Sequence, residues 1–440
     1  MLVLLHNVMA LRARHAAVGT LLSLLVACGA SEPGTPNKSA SAKADDARVV
    51  VATYDTGTNP FHPCFRRPNG PSAFDAIPEI RGVAEPLQLS FEDSYAESLE
   101  ASREALDAML PFTLYAIDGT NLLVYTGANG AADLIDNDPH GTQASSQIAC
   151  AEYGMAPDAF LVIVNWYDNS GTDMEMLERW SSQQSWIDVI HLNIQRITPM
   201  PTTPVSSVLD NTVQSIQAMV NAGKFVVIAA GNGFGNAGGH IPTETIDYYS
   251  VPGVLTAGAN DGTGYASFSN LDPHTVMDGC GTAAAEPADF GSTTFSGTSS
   301  SSPRTSGYVA ELLRRLRAHF GADAGTEGSV LVRLAPDQRP TEGPLADGQL
   351  SVPELHEVLR KTADPTLAAS ELDGSECLGY AVPRPVDPQG HDYHRVGYGK
   401  LSEHTIDLAL AVLTGDAPLP ERPTEDMYYE LSIMLRDLQP

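Results

Sequence analysis

Short apolar runs without alternation set the rhythm of this 440-residue chain. Arg48–Tyr54 reads RVVVATY, and similar runs occupy Ala159–Trp166, Asp188–Leu192, Phe225–Ala230 and Val254–Ala259. A run that is apolar at every position is what a strand buried on both faces shows. Helical stripes lie between the runs. Leu209, Val213, Ile216 and Val220 share one helix face, and Val309, Leu312, Leu316 and Phe320 share another. Strand–helix alternation predicts an α/β domain with a doubly wound, mostly parallel sheet and helices on both faces. Its functional groups should sit beyond the C-terminal ends of the strands.

The rhythm breaks over Arg66–Asp138, which reads as an insertion on this domain. Within it, Glu92–Leu110 predicts one acidic amphipathic helix stopped by Pro111. Phe112–Ile117 and Leu122–Tyr125 flank Asp118-Gly119-Thr120-Asn121, a hairpin signal. Further insertions are expected over Gly321–Gly348 and Leu367–His394. The main domain should run over 47–415, with a C-terminal extension over 416–440.

The first residues read as a targeting segment. Arg12, Arg14 and His15 precede an apolar stretch, Ala16–Ala27, too short to span a bilayer, and Met9 is the expected initiator. The stretch ends in Leu25-Val26-Ala27-Cys28, which resembles a bacterial lipobox. The expectation is a signal peptide over 1–27, cleavage before Cys28 and a diacylglycerol on its thiol; the alternative is a plain secretory signal. Gly29, rather than Asp, after the cysteine implies an outer-membrane address in a Gram-negative envelope. Residues 28–46, rich in small and polar types, read as a flexible tether that leaves no room for a propeptide.

Charge narrows the partners. Asp and Glu number 54 against 25 Lys and Arg, a net charge of −29. Nucleic-acid binding needs a basic face, so no such partner is expected. Of the 5 cysteines, lipidation of Cys28 leaves Cys64, Cys150, Cys280 and Cys377. These allow two disulfides in any of three pairings, or four buried thiols; their spacing does not make a zinc site.

Four segments end an apolar run or open a helix: Tyr54-Asp55-Thr56-Gly57, Asp138-Pro139-His140-Gly141-Thr142, Ala229-Ala230-Gly231-Asn232 and Gly297-Thr298-Ser299-Ser300-Ser301-Ser302-Pro303. A serine hydroxyl needs a base to take its proton, and histidine titrates in the right range. A carboxylate holds the imidazole tautomer, and a polar donor meets the oxyanion. Aspartic-protease chemistry would need a second Asp-Thr/Ser-Gly, which the sequence lacks.

In their order Asp, His, Asn, Ser, these segments resemble the subtilisin-like serine proteases, over about Arg48 to Leu413. The family's Gly-Thr-Ser-x-Ala-x-Pro is matched with Ser301 in place of Ala. His62-Pro63, Gly154-Met155-Ala156-Pro157, Lys361-Thr362-Ala363 and Gly397-Tyr398-Gly399 resemble its minor landmarks. The resemblance implies Ser299 as nucleophile, His140 as general base, Asp55 as its orienter, and Asn232 with the Ser299 N–H as oxyanion donors. Ala229, Ala230 and Gly231 would wall the pocket for the residue before the scissile bond. The substrate would be a protein or peptide, with no cofactor required. Glu371–Glu376 is a candidate calcium loop by the resemblance and an acidic turn otherwise, so no metal is assigned.

The sequence departs from the pattern on the substrate-pairing strand. Asn193, Ile194, Gln195 and Arg196 stand where the family has Ser-Leu-Gly-Gly, so long polar side chains replace two glycines where a peptide approaches. This keeps a second expectation alive, a binding or scaffold lipoprotein of the same fold with a blocked cleft. Ser300–Ser302 read as ordinary helix-start residues, and His62, His191 and His240 as structural or surface positions.

Overall fold

The first apolar run becomes the middle strand of the main sheet. The computed structural model describes residues 47–167, 172–193, 207–233, 251–270, 273–321, 330–365, 372–379 and 397–421. Strand β1 (Val50–Asp55) is followed by α1 (Ala73–Ala76), β2 (Glu85–Leu87), α2 (Tyr95–Ala101), α3 (Arg103–Asp107) and the hairpin β3 (Leu114–Ile117)–β4 (Leu122–Tyr125). Then α4 (Pro139–Ala149) leads to β5 (Phe160–Asn165), α5 (Thr172–Gln183) to β6 (Val189–Leu192) and α6 (Ser207–Asn221) to β7 (Phe225–Ala229), β8 (Val254–Asn260) and β9 (Thr275–Asp278). The described strands order as β2-β3-β4-β5-β1-β6-β7-β8-β9. All neighbours are parallel except β3 with β4. Two small antiparallel pairs follow, β10 (Thr282–Ala285) with β11 (Ser292–Phe295) and β12 (Val330–Arg333) with β13 (Gln349–Ser351). The remaining helices are α7 (Thr298–Phe320), α8 (Val352–Thr362), α9 (Ser375–Leu378) and α10 (Glu403–Thr414).

The unbroken apolar runs have a simple cause. Side chains alternate across a strand. Val49 and Val51 enter one core with residues of α4, α7, α8 and α10. Val50, Ala52 and Tyr54 enter a second with residues of α5 and α6. The sheet therefore carries helices on both faces, as the alternation predicts. Chain order also fixes where a site can form. From β1 the chain passes to the far edge at β2, steps inward through β3 and β4 to β5 beside β1, and then crosses to β6 on its other side. The C-terminal end of β1 is thus a topological switch point, where open α/β sheets hold their ligands.

Residues 66–138 contribute β2, β3 and β4 to the main sheet. One expectation changes. The expected single helix over Glu92–Leu110 is two, broken at Ser102. There the Ser98 and Ser102 hydroxyls bond the backbone of Glu92 and Ser90, so the helix bends onto the segment before it. The hairpin forms as expected, with Gly119 at φ +73° in its turn. Of the four cysteines, Cys280 and Cys377 are bonded, while Cys64 and Cys150 are buried thiols. Cys28, the tether, Glu371 and most of Leu367–His394 lie outside the described residues. No described helix is long and apolar enough to cross a membrane.

Candidate active site

Asp55 ends β1, almost wholly buried, and His140 is the second residue of α4. Their motifs interlock, which explains the neighbours each one needs. The Thr56 hydroxyl accepts the Gly141 N–H (2.8 Å) and donates to Asp136 Oδ1 (2.8 Å). A Cβ on Gly141 would stand 2.2 Å from the Gly57 carbonyl oxygen, so only glycine allows the approach. Asp136 Oδ2 accepts both the Thr142 N–H (2.7 Å) and the Thr142 hydroxyl (2.6 Å). Burial raises the Asp136 pKa, against the pull of the Thr142 and Thr56 hydrogen bonds. Asp138 caps α4 by accepting the His140 N–H.

These clamps present the His140 ring to Asp55, with Nδ1 at 2.7 Å from Asp55 Oδ1. Phe295 packs edge-on against the ring at 5.2 Å. Burial by itself lowers the His140 pKa. The charge of Asp55 and its hydrogen bond outweigh that, with Asp138 and Asp136 adding, and the pKa ends above the usual imidazole value. An N–H at Nδ1 facing a carboxylate leaves the Nε2 lone pair free to accept a proton.

Ser299 is the second residue of α7, one residue after Thr298 and two after Gly297. Among the described residues its hydroxyl makes no hydrogen bond to His140, a bond that commonly tightens only when substrate is bound. What joins Ser299 to Asp55 is Asn193, just beyond β6. Its Nδ2 donates to Asp55 Oδ2 (3.1 Å) and to the Ser299 carbonyl oxygen (3.0 Å). The amide cannot be turned over, because Oδ1 would then face two acceptors. As oriented, Oδ1 is buried and has no hydrogen-bond partner among the described residues.

Asn232 follows β7. Its Oδ1 accepts the Thr298 N–H (2.9 Å) and hydroxyl (3.1 Å), and that hydroxyl accepts the Gly231 N–H (3.0 Å). Nδ2 is left with no hydrogen bond among the described residues, and so is the Ser299 backbone N–H. Two spare donors at the N-terminal end of a long helix favour an anion. Gly297 takes φ +101°, and a Cβ there would lie 3.1 Å from Asn232 Nδ2. Ala229, Ala230 and Gly231 are buried, and Asn270 bonds the carbonyls of Ala230 and Gly231.

The family model for subtilases matches residues 46–347, more than half of the chain. This chain is a subtilase. It is similar to the subtilisin-like serine protease Pen ch 13.0101 of Penicillium rubens, 29% identical over 221 residues, 47% of this chain and 52% of that one. It is also similar to the subtilisin-like serine protease Pen c 1 of Penicillium citrinum, 30% identical over 221 residues, again 47% and 52%. The chain thus spans about half the length of the curated relatives it matches. Among solved structures, the prenylagaramide maturation protease PagA superposes with a TM-score of 0.45 at 17% identity, over 85% of this chain and 98% of that one.

The geometry assigns several residues differently from what the sequence pattern leads one to expect. Asn193, expected along the substrate-pairing strand, turns its side chain inward to Asp55 and Ser299. Its carbonyl accepts the Tyr167 hydroxyl (3.0 Å). Ile194, Gln195 and Arg196 lie outside the described residues. Ser300, Ser301 and Ser302 are not ordinary helix-start residues but fully buried joints of the subtilase core. Ser300 bonds Gln147 of α4 and Thr282 of β10, and Ser302 bonds His191 of β6. Asp136 is not singled out by any motif; its one signal in the sequence is a second carboxylate four residues before His140. Within Glu371–Glu376, residues 372–376 are described. No group of three or more His, Cys, Asp or Glu able to hold a metal is found among the described residues.

His191 lies buried beneath the site, with Nδ1 at the Thr53 hydroxyl and Nε2 at the Ser302 hydroxyl, both 2.9 Å. Burial pushes its pKa down to about 3, with Asp55 opposing weakly, and burial likewise lowers His274 to about 4 and His356 to about 3. Unfolding lets all three bind protons near pH 6.5, which the folded chain refuses. Their stabilisation is whole above that pH and is lost as pH falls toward their folded values. Calorimetry should show the melting temperature falling between about pH 6.5 and 5, above the carboxylate range. A melting temperature that is flat or rises across that window would count against buried neutral imidazoles.

Proposed function

We propose that this subtilase is a serine endopeptidase that hydrolyses peptide bonds in protein or peptide substrates through an acyl-enzyme. The observation that carries the reading is the linked set of Asp55, His140, Asn193 and Ser299, facing the spare donors of Asn232 and Ser299. His140 Nε2 takes the Ser299 proton as the hydroxyl attacks the scissile carbonyl, then gives it to the leaving amine. Asp55 fixes the tautomer and stabilises the imidazolium. Asn232 Nδ2 and the Ser299 N–H receive the oxyanion. Ala229, Ala230 and Gly231 would form the wall beside the residue before the scissile bond. Water then repeats the cycle to release the acyl group, and no cofactor enters.

The test is labelling with a fluorophosphonate probe, comparing wild type with Ser299→Ala. Labelling confined to the wild type supports the reading. Equal labelling of the two sinks it and leaves the scaffold with a blocked cleft.

Gly297→Ala tests the oxyanion donors. A methyl group there strains a backbone that L-residues rarely adopt and presses on the Asn232 amide. The expected result is a fall in kcat of about 10²–10³ with little change in KM, a size carried over from the loss of the equivalent donor in subtilisin. A kcat within a few-fold of wild type would argue against Asn232 as a donor.

Tethering is the second part of the proposal. The small residues before Cys28 and the 28–46 spacer support a diacylated Cys28 as mature N-terminus, holding the peptidase on a bacterial envelope. Mass spectrometry of the exported protein tests it, and an unmodified N-terminus elsewhere would refute it.

A further inference from the structure

Cys64 and Cys150 take no part in the chemistry proposed above, yet the fold brings them together beside it. Cys64 sits in a single turn, Pro63–Phe65, on the segment leaving the Asp55 strand. Cys150 is the C-cap of α4, the helix that carries His140 in its first turn. The Cys64 carbonyl accepts the N–H of Ala151, the residue after Cys150, at 2.9 Å. This hydrogen bond ties the two segments side by side, and the two thiols lie within hydrogen-bonding reach of each other. Arg67 clamps the same joint, donating from Nη1 to the Cys64 carbonyl (3.0 Å) and from Nη2 to the Ala149 carbonyl (3.1 Å). Both cysteines belong to one apolar cluster and are almost wholly shielded from water. The Tyr153 hydroxyl lies beside both thiols.

We propose that Cys64 and Cys150 are joined by a second disulfide, closed during oxidative folding, that staples the end of the His140 helix to the segment leaving the Asp55 strand. Of the three pairings open to four cysteines, the Cys280–Cys377 bond leaves this one. That bond also marks the chain as one that folds where disulfides persist, which agrees with export of the protein. The chemistry is thiol–disulfide exchange with a disulfide-bearing oxidant, a small molecule or a folding oxidase. The Cys150 thiolate attacks a sulfur of the oxidant and expels one thiolate. Cys64, once deprotonated, attacks the mixed disulfide at the Cys150 sulfur and expels the second. Two thiols and one oxidant disulfide become one protein disulfide and two oxidant thiols, with two protons passing to the departing thiolates. The Cys150 pKa is lowered to about 7 by Cys64 and by the N–H groups of Glu152 and Tyr153, against burial, while burial raises that of Cys64. That difference belongs to the packed fold; before α4 docks either cysteine can attack first, with the same balance. Because packing then shuts both sulfurs away from solvent, the bond closes before α4 docks and resists reduction afterwards.

The test uses the full, unmodified chain, reduced and denatured, then refolded with a glutathione redox couple, so that the oxidant is supplied whether or not the protein is exported. The folded fraction is trapped with N-ethylmaleimide in guanidinium without reductant, digested and mapped by mass spectrometry. The expected result is a peptide pair linked through Cys64 and Cys150, and no maleimide on either. Maleimide on both of these cysteines, or either one linked to a different cysteine, would overturn the proposal. The Cys280–Cys377 peptide in the same digest reports that oxidation took place.

Discussion

Ser299→Ala is expected to lower kcat by about 10⁶ and to leave the melting temperature unchanged. The size is carried over from loss of the nucleophile in subtilisin itself. Its physical basis is local. Without the Ser299 hydroxyl no covalent route remains, and only the oxyanion donors and binding still act on water attack. The stability half follows from what Ser299 does for the fold. Its bond to Asn193 uses the backbone carbonyl, which alanine keeps. The neighbours that hold α7 in place, Ser300 through Gln147 and Ser302 through His191, are untouched. Peptide hydrolysis assayed beside thermal denaturation would check both halves. Activity within about ten-fold of wild type would refute the nucleophile assignment, and a lower melting temperature would show that the hydroxyl supports the fold after all.

The sequence was most legible where a residue's neighbours are dictated by close approach. Asp55-Thr56-Gly57 and His140-Gly141-Thr142 are recognisable because Thr56, Gly141 and Thr142 are the parts that lock the two segments together. The buried strands were legible too, since a sheet with a core on each face demands apolar residues at every position. Partners supplied by distant elements were not. Asn193 meets Asp55 across 138 positions of sequence and Ser299 across 106, and the strand register that aligns them is written in no local pattern. By the family's strand pattern Asn193 should face a peptide; in the fold it is the first residue past β6 and turns toward the acid. Ser300–Ser302 mislead for the opposite reason. Serines at a helix start are ordinarily solvent-exposed caps, but this helix is sunk between α4 and the sheet. Each hydroxyl therefore needs a protein partner. The break at Ser102 has the same origin, a tertiary hydrogen bond overriding a local helical pattern.

Asp55→Asn is expected to lower kcat by about 10⁴, the size seen when the equivalent acid is replaced in serine proteases. The carboxylate receives donors only. Oδ1 accepts His140 Nδ1 and the Thr56 N–H, and Oδ2 accepts Asn193 Nδ2. An amide has one oxygen for these three donors. If its NH₂ faces His140, the imidazole must take the other tautomer, with its proton on Nε2 and no lone pair for Ser299. If the NH₂ faces Asn193, two donors meet, and relief comes only if Asn193 turns its Oδ1 toward residue 55. That turn breaks its bond to the Ser299 carbonyl and releases the strut between acid and nucleophile. Either outcome costs activity, and the pH profile tells them from mere unfolding. In the wild type, kcat/KM should rise with pH through a pKa above the usual imidazole value, because His140 must be neutral to act as base. Removing the Asp55 charge takes away the largest influence holding that pKa up and leaves burial to lower it. The residual activity of the variant should therefore persist to lower pH than that of the wild type. A profile shifted to higher pH, or loss of activity matched by loss of folded protein, would show that Asp55 does not act through His140.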